Sequence, residues 1–270
     1  MTDLIQTAAD AAEFVKRKWG RKLFHDATQI EESDWMYSSA FLLETHLPGV
    51  SMRPLVGAIR DQGATSACTN FALSRSVATR AYTVGAPLTN YPSEVANYKL
   101  GQMLANPDAP LVDMGAKLGK VLQSARDVGM VSEARAPFDP DTITEPLPWD
   151  VYRAGSSAMS VLNKGLSYYR VFGSVQAKQA LSRNIPLVIG MSVDESFMKY
   201  DGGTYVRGGA VVGGHAMTGI GYRAGCLELV NSWGEFWGES GFAWLPLEYL
   251  DSPSIVFEVY AIDIAPRAVV

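Results

Sequence analysis

A turn-like run, Gly63-Ala64-Thr65-Ser66, delivers Cys68 to the edge of a helix-compatible stretch, Phe71 to Ala81. The first N–H groups of a helix have no intrahelical partner, and the positive end of its dipole lies among them. A thiol held there is expected to favour its thiolate, the nucleophilic form. A lone cysteine reads more often as an inert core residue. Two stretches downstream shift that balance. Gly213-Gly214-His215-Ala216 opens an apolar run through Tyr222, and after a turn comes Leu227-Glu228-Leu229-Val230-Asn231-Ser232-Trp233-Gly234. A nucleophilic cysteine needs a base, and the base needs an orienting group. His215 and Asn231 supply both, each at the edge of an apolar, strand-like segment.

Composition excludes several other classes of protein. The chain has 270 residues, 47% hydrophobic and 19% charged, enough for one generous core or two lobes. Net charge is -5, the sequence pI is about 5.3, and no Lys/Arg run offers a basic face, so no nucleic-acid partner is expected. No apolar segment reaches the roughly 18 residues of a membrane span, so no membrane partner is expected either. The start, Met1-Thr2-Asp3-Leu4, lacks the basic-then-apolar pattern of a secretory signal. With only two cysteines this fits a reducing, cytoplasmic setting, with delivery as an effector or virion component left open. Three His and two Cys, widely separated, make no metal site, and no cofactor is implied. Cys226 reads as a structural residue with a partly buried thiol, not as a disulfide partner of Cys68.

Periodicity gives the rest of the order. Thr7 to Lys18 reads as a helix, with a second helix near Trp35 to Glu44. Ser93 suits the N-cap of a helix from Glu94 to Met103. Asp113-Met114-Gly115 precedes a helical segment, Lys117 to Asp127, that ends at Gly129. The proline-rich stretch Pro137 to Pro148 breaks both periodicities and reads as a linker. Beyond it come a strand over Ser167 to Phe172, a helix over Val175 to Ser182, a buried strand over Pro186 to Val193 and a terminal strand over Ser254 to Ile264.

Several blocks then point the same way. They are His46-Leu47-Pro48-Gly49-Val50-Ser51-Met52-Arg53-Pro54, Ile59-Arg60-Asp61-Gln62-Gly63 leading to Cys68, Phe197-Met198-Lys199-Tyr200-Asp201-Gly202-Gly203-Thr204-Tyr205, and Asn231-Ser232-Trp233-Gly234. In this order, across roughly residues 47 to 250, they resemble the papain-like cysteine peptidase family, in a bacterial- or phage-type member. The resemblance implies an α+β, papain-like two-lobed fold: a helical left lobe, an antiparallel β-barrel-like right lobe, and the active-site cleft between them. The peptidase domain would cover 47–270, its left lobe about 55–140 and its right lobe about 150–270.

The resemblance also implies roles. Cys68 would attack a peptide carbonyl, His215 would act as base and then acid, and Asn231 would fix the imidazole tautomer. Gln62, six residues before Cys68, would supply an oxyanion-hole amide together with the Cys68 N–H. Trp233 would cover the His–Asn pair. Gly115 would offer a ledge to the substrate backbone, and Gly214 stands where relatives carry Asp. Thr65 replaces a disulfide cysteine of well-known members, and Thr69 replaces a tryptophan. The implied activity is that of an endopeptidase acting on a protein or peptide substrate. Two alternatives stand beside it: a catalytically silent papain-like scaffold or binding module in a larger assembly, and thiol-dependent amide transfer or deamidation. Residues 1–46 read first as an accessory extension packed on the catalytic domain, second as a docking element for a protein partner, and third as a removable inhibitor.

Overall fold

In the computed structural model, which describes residues 35–36, 47–152 and 166–264, the helix expected from Phe71 begins earlier. α1 spans Cys68–Thr83 and starts on the cysteine itself. The polar residues of its first turns are satisfied sideways: Asn70 Nδ2 and Ser74 Oγ both donate to the Ser93 carbonyl, at 2.9 and 3.0 Å. The helix is buried on nearly every side, which suits its Ala, Ser and Thr content, because small side chains let neighbours approach.

One flank of α1 meets α2 (Ala96–Ala105) and α3 (Leu118–Asp127). Those two helices come so close at Gly101 that a Cβ there would lie 2.8 Å from Val121 Cγ2. Ser93 acts one turn ahead of the helix expected behind it. Its Oγ accepts from the N–H groups of Val95 and Ala96 (3.3 and 3.1 Å) and donates to the Ala136 carbonyl (2.7 Å). The helix therefore starts at Ala96, not Glu94.

The other flank of α1 lies on a sheet. Its strands are β1 (Trp35–Met36), β2 (Gly49–Ser51), β3 (Leu166–Arg170), β4 (Leu187–Asp194), β5 (Val211–Arg223), β6 (Cys226–Val230), β7 (Phe242–Pro246) and β8 (Val256–Ile264). They run in the order β1-β3-β8-β4-β5-β6-β7, with β2 paired to β5. Every pairing is antiparallel except that of β1 with β3. Among the described strands the path stays open, so the barrel-like lobe expected from the sequence is an open antiparallel sheet.

Strand alternation gives this sheet two apolar faces. Val188, Ala216, Tyr260 and Ile262 join α1 in one core. Leu187, Ile189, Met191 and Met217 join β6, β7 and the helix α4 (Gly173–Ser182) in the other. The proline-rich stretch stays on the helical side. Phe138 packs edge-on against Phe71 (centroids 4.9 Å), Lys99 Nζ donates to the Thr142 carbonyl (2.9 Å), and Tyr152 Oη donates to Ala96 O (3.3 Å).

Trp35–Met36 forms a strand where the sequence suggests the start of a helix. The helix expected over Thr7 to Lys18 lies outside the described residues. Among the described residues no helix is long and apolar enough to cross a membrane.

Candidate active site

The loop ahead of α1 holds the cysteine in one pose. Asp61 Oδ1 accepts from the Gly63 N–H (2.9 Å), and the Thr65 N–H and Oγ1 both donate to the Gln62 carbonyl (3.2 and 2.8 Å). Gly63 turns the chain with a φ of +56°, a region that favours glycine. Asp113 clamps the far end: its Oδ1 accepts from the Ser66 N–H (2.8 Å) and the Tyr98 hydroxyl (3.2 Å), while Ser66 Oγ donates to its carbonyl (3.0 Å). Behind the loop, Arg60 binds both oxygens of buried Glu94 at 3.0–3.1 Å and also pairs with Glu133. Sequence reading passes over Asp113, Tyr98 and Glu94 as builders of the site; the only signal was that Asp113 directly precedes Met114-Gly115.

Cys68 is fully buried at the first position of α1. Burial pushes its thiol up to about 11, against the pull of the Ala216, Thr69 and Cys68 N–H groups, and the charge on Asp113 adds to the rise. The expectation that the helix start favours the thiolate is therefore reversed, because loss of water outweighs the N–H groups. A thiolate here needs a cation beside it.

The Ala216 N–H that reaches the thiol belongs to the residue after His215 on β5. The His215 Nε2 lies 2.8 Å from Asn231 Oδ1, just beyond the end of β6. That Asn231 atom also accepts from the Ser232 N–H at 2.8 Å, so it is the oxygen, and Nε2 must carry a hydrogen. Nδ1 is then the ring nitrogen that exchanges a proton. Trp233 lies over the imidazole, nearly parallel at 28° with centroids 4.5 Å apart, and both residues are buried. This sandwich excludes water from the His–Asn hydrogen bond.

Gln62 is fully buried. Its Nε2 donates to the Thr65 carbonyl at 2.7 Å, and its Oε1 accepts from Ser232 Oγ at 2.6 Å. A carbonyl only accepts, so the amide orientation is fixed. That bond uses one of the two Nε2 hydrogens. Ser232, which sequence analysis does not single out, thereby ties the Gln62 amide to the strand lobe; its carbonyl also accepts from the Gln62 N–H (2.9 Å).

Gly115 has a φ of +86°; its N–H donates to Tyr98 Oη (3.2 Å) and its carbonyl accepts from Gln102 Nε2 (3.1 Å). Its amide is therefore committed inside the lobe, and its carbonyl, with a second lone pair, is the atom with capacity for a substrate. Gly214 sits half-buried beside His215, opposite Ser192 of β4. Cys226 is free and half-buried, with its Sγ 3.6 Å from Thr204 Oγ1, away from these groups. No cluster of three metal-ligating side chains occurs among the described residues.

Comparison with known proteins adds kinship. The family model described as papain family cysteine protease matches residues 115–252. That span contains Gly115, Gly214, His215, Asn231 and Trp233; Cys68 and Gln62 precede it. An uncharacterized peptidase C1-like protein of Acanthamoeba polyphaga mimivirus is 25% identical over 218 residues, covering 75% of this chain and 68% of the viral protein. Cathepsin B-like cysteine proteinase 6 of Caenorhabditis elegans is 43% identical over 84 residues, covering 29% of this chain and 22% of the nematode protein. Among solved structures, xylellain, a cysteine protease from Xylella fastidiosa, superposes with a TM-score of 0.78 at 21% identity, covering 92% of this chain and 97% of its own. Digestive procathepsin L 3 of Tenebrio molitor gives a TM-score of 0.70 at 19% identity, over 94% and 79% of the two chains. These two share the fold.

Proposed function

This chain belongs to the papain family of cysteine proteases, and we propose that it hydrolyses internal peptide bonds through the Cys68 thiol. One observation carries the reading. The thiol meets the Ala216 N–H, next to His215, whose Nε2 is held by Asn231 beneath Trp233.

In this reading His215 Nδ1 takes the thiol proton, and the resulting imidazolium is the cation that the buried thiolate requires. The sulfur attacks the peptide carbonyl carbon, and the C=O electron pair moves onto oxygen. The Cys68 N–H and the second Gln62 Nε2 hydrogen stabilise that oxyanion. As the carbonyl reforms, the C–N bond breaks and His215 returns its proton to the departing amine. Water, deprotonated by His215, then attacks the thioester and releases the acid, restoring the thiol.

The test is labelling and turnover together. A cysteine-peptidase epoxide should modify Cys68 and no other residue by mass spectrometry, and Cys68→Ala should lose peptide hydrolysis while unfolding at the wild-type temperature. Peptidase activity persisting in Cys68→Ala overturns the assignment. Labelling of Cys68 without hydrolysis of any peptide, but with amine incorporation or glutamine deamidation, turns the same thiol to amide transfer.

A further inference from the structure

The stretch from Ala216 to Gly221 is apolar but for Thr218. Thr218 is buried, and its Oγ1 donates to the carbonyl of Ala72 on α1 at 2.9 Å. Valine has nearly the same shape and carries no polar atom to desolvate, so packing by itself does not call for the hydroxyl. Branching at Cβ restricts χ1 and holds the oxygen toward the helix. A carbonyl inside a helix accepts from the N–H four residues on and keeps a second lone pair for such a bond.

Three elements of the site meet at this residue. Along β5, Thr218 follows His215 by three residues. Across the sheet it pairs with Val230, which directly precedes Asn231. Across the lobes, Ala72 lies four residues after Cys68, about one helical turn. The Thr218–Ala72 bond therefore joins the strand that carries the base to the helix that carries the thiol. The ties between Gln62 and Ser232 join the lobes ahead of Cys68 in the chain, and Thr218 joins them behind it.

Such a tie governs distance. Attraction between a thiolate and an imidazolium grows as they approach, and more steeply away from water. Cys68 is fully buried, and burial disfavours its charge. A slide of α1 over β5 would separate the sulfur from the His215 ring and also from the Ala216 N–H that reaches it. We propose that Thr218 is a positioning residue: its bond to Ala72 fixes the separation of the Cys68 sulfur and the His215 ring, and with it the population of the thiolate–imidazolium pair. The proposal deepens the peptidase reading above and rests on it.

The experiment follows alkylation of Cys68 by iodoacetamide from about pH 4 to about pH 10, spanning the titration of His and Cys, beside peptide turnover, in wild type, Thr218→Val and Thr218→Ser. Thr218→Val should move the acid limb of the profile up by about one unit, an alkylation about tenfold slower at any pH on that limb. On the same limb kcat should fall alike, with KM nearly unchanged. Thr218→Ser keeps the donor and should restore most of the loss. Glu94, which burial pushes up to about 7, lines the same small cavity as Thr218 together with Arg60 and Arg75, and Asp113 acts on Cys68. These groups are common to every variant, so a difference between profiles belongs to Thr218.

An acid limb that stays in place while Tm falls makes Thr218 a structural residue only and overturns the proposal. So does a Thr218→Ser profile that matches Thr218→Val. If valine does not fit, Thr218→Ala removes the same donor and is read against the same limb. Alkylation needs no peptide, which separates this proposal from the reading beneath it. If Thr218→Val moves the limb and Thr218→Ser restores it while wild type cleaves no peptide, the positioning role stands and the peptidase reading fails. If wild type alkylates only in the ordinary thiol range near 8.5 or above, no pair forms and both are overturned.

Discussion

Two influences act against each other on Cys68. Helix-start N–H groups stabilise negative charge on sulfur, but complete burial removes the water that would do so better. Burial wins for the thiol by itself, pushing it up to about 11. In the proposed mechanism the imidazolium of His215 is what makes a thiolate accessible near neutrality. In His215→Ala, iodoacetamide alkylation of Cys68 should be slow at pH 7 and still climbing with pH at pH 10, past the ordinary thiol range near 8.5. A plateau by about pH 9 would show that Cys68 is not desolvated. At Gln62 one amide hydrogen goes to the Thr65 carbonyl, and in the proposed mechanism the other serves the oxyanion. Losing one preorganised donor lowers turnover on the order of 100- to 1,000-fold. Gln62→Ala should therefore reduce kcat with little change in KM; a change confined to KM would make it a substrate-binding residue.

Elements place these atoms. α1 sets the sulfur, β5 sets His215, and the turn from Asp61 to Ser66 joins the two lobes through Gln62 and Ser232. Asp113 holds that turn against the helical lobe, and its side chain accepts from the Ser66 N–H. Asp113→Ala leaves that buried donor and the Tyr98 hydroxyl short of an acceptor, a loss of about 1–3 kcal/mol. At roughly 2–4 °C per kcal/mol for a domain of this size, calorimetry should show a clear fall in Tm. Asp113→Asn keeps an acceptor oxygen and should restore most of the loss. Equal destabilisation by the two variants would mean the clamp depends on charge and not on the hydrogen bond.

At the scale of the whole molecule, the N-terminal part of the chain bears on the strand lobe. β2 pairs with β5, and Tyr222 Oη donates to the Leu47 carbonyl at 2.8 Å. β1 pairs with the edge of β3, at the opposite end of the sheet from β7. We propose that residues 1–46 are an accessory that stays attached, because removing β1 uncovers the backbone of an edge strand. Deleting residues 1–45 should lower Tm or solubility and leave kcat/KM close to wild type. A much more active truncated enzyme, or self-trimming near Pro48, would make the segment an inhibitor instead.

What the sequence determined was whatever a contiguous run can carry. The Gln62-to-Cys68 spacing, the glycines before His215, the Asn231-Ser232-Trp233 block and most element positions were legible, because turn chemistry, periodicity and motif spacing are local. Cys68 was legible as lying at a helix start, but the helical run was drawn only from Phe71, because Asn70 in the first turn is satisfied by Ser93, which lies in another segment. The Asp113 clamp, the Ser232–Gln62 bond and the Glu94–Arg60 pair were illegible for the same reason: each joins residues far apart in the chain. Tertiary structure alone decided the ionisation of Cys68. Desolvation depends on everything packed around the sulfur from α1 and β5, whereas the helix-start effect is written in the few residues beside it.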